Sequence, residues 1–231
     1  MKNIKSKSKR YQKLFKEKND NQLSAVDAIK LIKKNSNVKF KESVDAHFNL
    51  NIDKSKADQN LRTTVDLPNG NGKKTTVAVI CPNDKLNDAK AAGAEVVGSD
   101  DLIENISAGK INFDILVCSP EMMSKVGKLG KILGPKGLMP NPKFGTVSAD
   151  IKKAVTDLKK GKIEIRCDQD GNLSLSIGRI NFEDKHILEN LKAVYEIIDK
   201  EKPTGIKGGF INSIHLCSSM GVSNKIITKS I

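Results

Sequence analysis

The sequence contains no tryptophan, and only two tyrosines and seven phenylalanines. So few flat side chains exclude a protein that holds single strands mainly by stacking bases on aromatic platforms. It has no C-x-x-C pair: the four cysteines lie at 81, 118, 167 and 217, at spacings that match no zinc pattern. His47, His186 and His215 are scattered without metal-ligand spacing. No metal and no other cofactor is expected. No apolar run approaches the ~18 residues needed to span a bilayer. The lysine-rich start lacks the apolar core of a secretory signal. Cysteines in the apolar segments around Cys81 and Cys118 suit a reducing compartment. A cytoplasmic location without a membrane partner is expected.

Catalytic constellations are also missing. In "PNGNGKKTT", Lys74 stands where a phosphate-binding loop needs Ser or Thr for magnesium, and Leu67 stands where its first glycine belongs. No G-x-G-x-x-G lies between "VAVI" and the helix after it, and glycines 127, 130, 134, 137 and 145 do not supply that spacing. There is no G-x-S-x-G elbow. Asp114 opens an apolar strand and is a candidate buried acid, but one acid is not a site. A nucleotide-dependent enzyme is the weakest alternative, and no enzymatic activity is expected.

What the sequence has in excess is positive charge. Forty Lys and Arg oppose 27 Asp and Glu, a net +13. Such a field attracts polyanions, nucleic acid first and an acidic membrane surface second. Residues 1–18 carry eight basic groups and one acid. They read either as a solvated, partly disordered tail or as a basic arm that orders on RNA.

The hydropathy pattern changes twice along the chain. "SAVDAIKLIKKN" predicts a helix capped by Ser24, with Val26, Ile29 and Ile32 as its stripe. In "SVDAHFNLNI", Val44, Ala46, Phe48, Leu50 and Ile52 alternate as in a half-buried strand, and "LRTTVDL" repeats this more weakly. "TTVAVI", "AEVVG" and "FDILVCSP" are short apolar strands separated by "DKLNDAKAAG" and "DLIENISAG". That β-α-β-α-β order predicts a small parallel sheet. "EMMSKVGKLGKI" reads as a helix, followed by a Gly/Pro-rich loop over 128–145 and the helix "ADIKKAVTDLKKG". Alternation then returns: "KIEIRCD" and "LSLSI" predict a hairpin about "QDGN". A long helix over "FEDKHILENLKAVYEIIDKEK" and a last strand, "GGFINSIHLCSSMG", complete the chain.

The fold class expected is therefore a two-domain α/β protein. A discontinuous α+β domain, with an antiparallel sheet and helices, is built from 1–67 and 160–231. A Rossmann-like parallel α/β domain is inserted at 68–159. The insert holds 13 lysines and 10 acids, against 27 basic residues and 17 acids elsewhere, and all four arginines lie outside it. Arginine suits bidentate phosphate contact, so the discontinuous domain is expected to do most of the binding. A folded RNA read by shape and ribose edge fits better than a single strand. In "VKFKES", Phe40 lies between Lys39 and Lys41, with Ser43 close by. In "SSMGVSNK", Ser218, Ser219, Met220 and Gly221 combine hydroxyls, a thioether and bare backbone, a platform for ribose. In "GIKGGF", Lys207 sits among glycines, where backbone can approach a phosphate.

Taken together, "SKRYQKL", "KFKESVDAHFNLNID", "DQNLRTTVDLPNGNGK", "AGAEVVG", "LGKILGPKGLMPNPKFGTV" and "SSMG" resemble, in order, the blocks of a ribosomal protein family. It is the family of the first-numbered protein of the large subunit, in its bacterial form, and the likeness covers nearly the whole chain. The resemblance implies two domains joined by a hinge and a structural, ribosome-bound monomer that binds large-subunit ribosomal RNA at the stalk. It also implies aid in releasing deacylated tRNA from the exit site, and repression of its own operon messenger RNA. The RNA-contact positions it implies are Lys39, Phe40, Ser43, Arg179, Lys207, Ser213, Ser218, Ser219, Met220 and Gly221. Lys131, Lys136 and Lys143 of the 128–145 loop are candidates for a secondary RNA or tRNA contact. A stand-alone messenger RNA-binding translational regulator is the alternative. The chain departs from the family pattern at Ser219 (usually threonine), Val222 (usually proline) and Ser174 (often histidine). Serine keeps the hydroxyl, but valine lacks proline's fixed φ.

Overall fold

The computed structural model describes residues 8–18, 22–52, 61–168, 170–203, 206 and 208–228; Lys207 and the start of the basic stretch, residues 1–7, lie outside them. The chain divides into two compact units, Met1–Gly72 with Ile163–Ile231, and Lys73–Lys162.

In the first unit, part of the basic stretch is helical. Helix α1 (Lys9–Lys16) starts at Ser8, whose side chain accepts from the Tyr11 N–H. Helix α2 (Ala25–Asn35) is capped by Ser24, which accepts from the Asp27 N–H and donates to the Asp27 carboxylate. Its buried stripe is Ala25, Ala28, Ile29 and Ile32, whereas Val26 is exposed, contrary to the expectation. The small alanines pack closely and centre the stripe on their side, which leaves Val26 roughly 100° round the helix. Strand β1 (Ser43–Leu50) buries Val44, Ala46, Phe48 and Leu50, and β2 (Arg62–Asp66) buries Val65.

The second unit contains β3 (Val77–Ile80), α3 (Leu86–Ala91), β4 (Val96–Gly98), α4 (Asp100–Ser107) and β5 (Ile115–Cys118). The strands form a parallel sheet in the order β4-β3-β5. The helix expected over 121–132 is broken into a 3-10 turn at Pro120–Met122, α5 (Met123–Gly127) and α6 (Gly130–Leu133). Glycines at 127 and 130 are poor helix formers and mark the break. Helix α7 (Ile151–Lys160) is capped by Asp150 and ends at Gly161, whose φ of 114° is left-handed. Val77 and Val79 pack with α3 and α7, while Ala78 and Ile80 pack with α4, α5 and α6. Helices on both faces explain why β3 is apolar at every position. The 128–145 segment is pinned to this core by Leu129 and Leu133, with Leu138 and Met139 packed against it.

Asp114, a candidate buried acid, has a side chain 40% exposed. Its carboxylate accepts the Thr76 N–H at 3.0 Å and faces Lys73. Chiefly that backbone bond, and then Lys73, hold its carboxyl below the usual range. A depressed folded pKa stabilises above the unfolded value of about 4, and the contribution disappears as pH falls through the folded value. Asp114→Asn is therefore expected to cost less than about 1 kcal/mol at neutral pH, after screening, and nothing in acid. Thermal melts across pH 2–7 check it, and a deficit that persists in acid would contradict it.

The chain then returns to the first unit through β6 (Lys162–Arg166), β7 (Asn172–Arg179), α8 (Asp184–Lys200), β8 (Ile211–Ser218) and β9 (Asn224–Ile226). One sheet has the order β7-β1-β8-β9, with antiparallel neighbours, and β2 pairs with β6 in a second sheet. The hairpin expected about "QDGN" is thus not a full one. Among the described residues, its arms are joined by the isolated bridge Cys167↔Leu173 and not by a ladder. Asp168 gathers the N–H groups of Asp170 and Asn172, which makes the turn tight, while the Cys167 N–H goes to Leu61 O and leads β6 away to β2. Nor is β8 the last strand, since β9 follows it. Helices α2 and α8 cover the inner face of the four-stranded sheet, around Phe48, Leu173, Ile177, Leu191 and Leu216. Period 2 then places Ser43, Asp45, His47 and Asn49 of β1 on the outer face.

Candidate nucleic-acid interface

Antiparallel pairing sets Val44 opposite Ser218 and, on the other side, Ser43 opposite Arg179. The start of β1, the end of β8 and the end of β7 therefore meet at one end of the sheet. There the 36–42 loop and the 218–221 turn lie side by side. The Ser219 Oγ accepts the Ser43 N–H at 3.1 Å and lies 2.8 Å from the Ser43 Oγ; the Ser219 N–H goes to Ser43 O. The turn closes through the Gly221 N–H on Ser218 O. A Cβ at Gly221 would lie 2.4 Å from the Ser218 Oγ, so this position has no room for a side chain.

Phe40 and Met220 are 54% and 49% exposed, the two most exposed large hydrophobic residues described. Lys39 and Lys41 are exposed beside Phe40. Arg179 reaches across to donate to Lys41 O at 3.1 Å. The structure thus gathers Lys39, Phe40, Ser43, Arg179, Ser219, Met220 and Gly221 at one end. Ser218 is there too, but the strand's alternation turns it inward, and it is 5% exposed. Ser213 lies elsewhere, paired with Asn49 roughly 17 Å back along β8. Lys207 falls outside the described residues. Lys131 on α6, Lys136 after it and Lys143 in the turn Pro142–Phe144 are exposed and belong to the other unit.

Two further residues at this end had no place in the sequence reading. Glu42 is 1% exposed, and its carboxyl accepts from the Met220 N–H at 2.8 Å, from the Ser218 hydroxyl at 3.3 Å and from the Ser36 hydroxyl. It shares the parity of Val44, Ala46 and Phe48, a signal that could have placed it inside. Arg10 of α1 donates to Met220 O at 2.7 Å. Nothing in the spacing of the basic stretch marks that contact.

Arg10 ties α1 to this turn, and Lys18, two residues past α1, acts on His215 of β8. Burial first, and then the charges of Lys225, Lys18 and His47, hold the His215 imidazole below its usual pKa. Leu14, between Arg10 and Lys18, is buried. His47 bridges the strands, with Nδ1 2.8 Å from the Ser174 Oγ and Nε2 3.2 Å from the Cys217 Sγ. Burial pushes the Cys217 thiol up to about 11, helped by Asp45 and Glu42, so it is no nucleophile at neutral pH. Among the described residues no group of His, Cys, Asp and Glu could hold a metal ion, and no helix is long and apolar enough to cross a membrane.

Fold and site define a two-unit α/β protein whose distinctive surface is a hydroxyl-, thioether- and cation-bearing sheet end, suited to contact with a polyanion and not to covalent chemistry. Residues 32–222 match the ribosomal protein L1p/L10e family, and the chain belongs to that family, in its bacterial form. The family is one of structural ribosomal proteins and not of enzymes. The chain is 48% identical over 221 residues to the large ribosomal subunit protein uL1 of Pelagibacter ubique (strain HTCC1062), covering 95% of this chain and 96% of that one. It is 45% identical over 223 residues to uL1 of Prochlorococcus marinus (strain NATL1A), covering 96% and 95%. It is 48% identical over 229 residues to uL1c of Arabidopsis thaliana, covering 98% of this chain and 66% of that one.

Proposed function

We propose that this protein, a structural constituent of the large ribosomal subunit, binds the stalk region of large-subunit ribosomal RNA through its discontinuous unit, as a monomer on cytoplasmic ribosomes. The observation that carries the reading is the meeting of Phe40, Ser43, Ser219, Met220 and Gly221 at one sheet end, with Lys39 and Arg179 beside them. An exposed thioether and a phenyl ring offer surface for ribose and base faces, and nearby cations offer phosphate contacts. With about five such contacts, affinity falls as roughly the fourth to fifth power of salt concentration. The test is binding of the full chain to a transcript of the stalk segment, with co-sedimentation on large subunits. Met220→Ala is expected to weaken RNA binding at low and high salt alike. Equal affinity of the variant would refute the assignment.

The finer roles follow from placement at the stalk. Release of deacylated tRNA from the exit site uses the second unit, with Lys131, Lys136 and Lys143 as its tRNA-facing cations. Repression of its own operon messenger RNA uses the same sheet end, on a messenger segment that mimics the ribosomal site. Replacing the three loop lysines with alanine is expected to leave stalk-RNA affinity within about twofold, since none lies at the sheet end, while slowing tRNA release on reconstituted ribosomes. Unchanged release would remove these lysines from the mechanism.

A further inference from the structure

We infer that Glu42 is the positioning residue of the RNA-binding surface: its buried carboxyl sets the 218–221 turn against the loop that carries Lys39 and Phe40. The inference rests on the RNA-binding reading above. Glu42 ends the 36–42 loop, and its Oε2 accepts from Ser36 at the C-terminal end of α2. Its Oε1 accepts from both the Met220 N–H and the Ser218 hydroxyl. One side chain thus ties both ends of the 36–42 loop to a turn more than 170 residues away. It forms no ion pair among the described residues, so hydrogen-bond acceptance and not charge pairing is its role. At 1% exposure it cannot itself touch RNA.

The arrangement also fixes what the turn offers outward. Glu42 takes up the Met220 N–H and the Ser218 hydroxyl, and Ser218 O takes up the Gly221 N–H. With its donors occupied, the turn is a poor cradle for phosphate, which needs free N–H groups. The thioether of Met220 and the exposed Ser219 hydroxyl, which keeps one acceptor lone pair when it donates to the Ser43 hydroxyl, face out to meet a ribose edge. The 2′-hydroxyl can donate to that hydroxyl, and this is the feature that separates RNA from DNA. Positioning by Glu42 therefore sets selectivity for ribose as well as affinity.

The experiment compares the full-length protein with Glu42→Gln, Glu42→Ala and Ser218→Ala, binding a transcript of the stalk segment across a salt series. Gln can keep both Oε1 bonds and donate to Ser36, so it should stay within about threefold of the native affinity. Ala should lose about 10- to 100-fold, the value of hydrogen bonds to a charged or buried group. The slope of log affinity against log salt should not change, because no phosphate contact is removed. Amide exchange at Met220 should accelerate in Glu42→Ala while β1 and β8 stay protected. Substituting 2′-deoxyribose at the contacted nucleotides should cost Glu42→Ala less than it costs the native protein. Native-like affinity in Glu42→Ala, or Gln as weak as Ala, overturns the inference. Should Glu42→Ala not fold, Ser218→Ala removes one of the Oε1 bonds and is expected to lose about three- to tenfold; no loss there also overturns it. If the native chain fails to bind the transcript, the RNA reading falls instead, and Met220 exchange still reports whether Glu42 holds the turn.

Discussion

Ser219→Val should weaken binding to stalk ribosomal RNA by about 30- to 100-fold, from a hydrogen-bond loss of about 2–3 kcal/mol. Valine has no acceptor and is a poorer turn residue than serine. The Ser43 N–H, which Ser219 accepts at 3.1 Å, then loses its partner, and the Ser43 hydroxyl, 2.8 Å from Ser219, keeps only Asp45 at 3.5 Å. One methyl group replaces the hydroxyl, and the second enlarges a side chain that stands beside Met220. The turn shifts, and the hydroxyl that meets ribose is lost. Ser219→Thr is the matched control: it restores the hydroxyl and should bind within about threefold of the native protein. Filter binding at two salt concentrations decides the point. A valine variant weakened only at low salt would place the loss in phosphate contacts; one that binds like the native chain would remove Ser219 from the interface.

The parts of this surface that the sequence shows are those with a local signature. Phe40 between two lysines and the pair Met220-Gly221 after two serines stand out as exposed-group chemistry. The strand 43–50 is legible because Val44, Ala46, Phe48 and Leu50 alternate without interruption. Helix α2 is legible at its cap, Ser24, but its stripe is not, since Ala25 and Ala28 are buried no less than isoleucine. Alanine carries too little hydropathy to mark a face by itself. The pairing of β6 with β2 is hidden for a different reason. A turn sequence such as "QDGN" fixes local geometry, while strand partners depend on contacts distant in sequence. Glu42 and Arg10 are illegible as functional residues for the same reason. Each looks like a solvated charge among lysines, and only folding brings it to Met220, 178 and 210 positions away.

Asn190→Leu should be among the most destabilising single changes in the first unit, costing about 3–5 kcal/mol. Asn190 is fully buried on the inner stripe of α8, between Ile187 and Leu191. Its Nδ2 donates to Gly70 O and to Ile177 O, both at 2.8 Å, and its Oδ1 accepts the Asn69 N–H at 3.1 Å. One amide thus joins α8, β7 and the loop after β2. Leucine has the same branched shape but is larger, so the loss falls on three backbone groups left without partners, with some crowding added. Groups at Asn69 and Gly70 can recover part of their hydration, because that loop is half-exposed. The Ile177 carbonyl, on a buried residue, cannot. A loss of this size is a large share of the about 5–15 kcal/mol that holds a domain together. Asn190→Asp discriminates the cause: it keeps the shape and Oδ1 but sets a carboxylate oxygen against two carbonyls. It should be at least as damaging as leucine, whereas a pure packing role predicts little harm. Urea unfolding followed by a probe in the first unit reads both, since the two units need not melt together. A leucine variant within about 1 kcal/mol of the native protein would show that the three bonds add little beyond what water supplies.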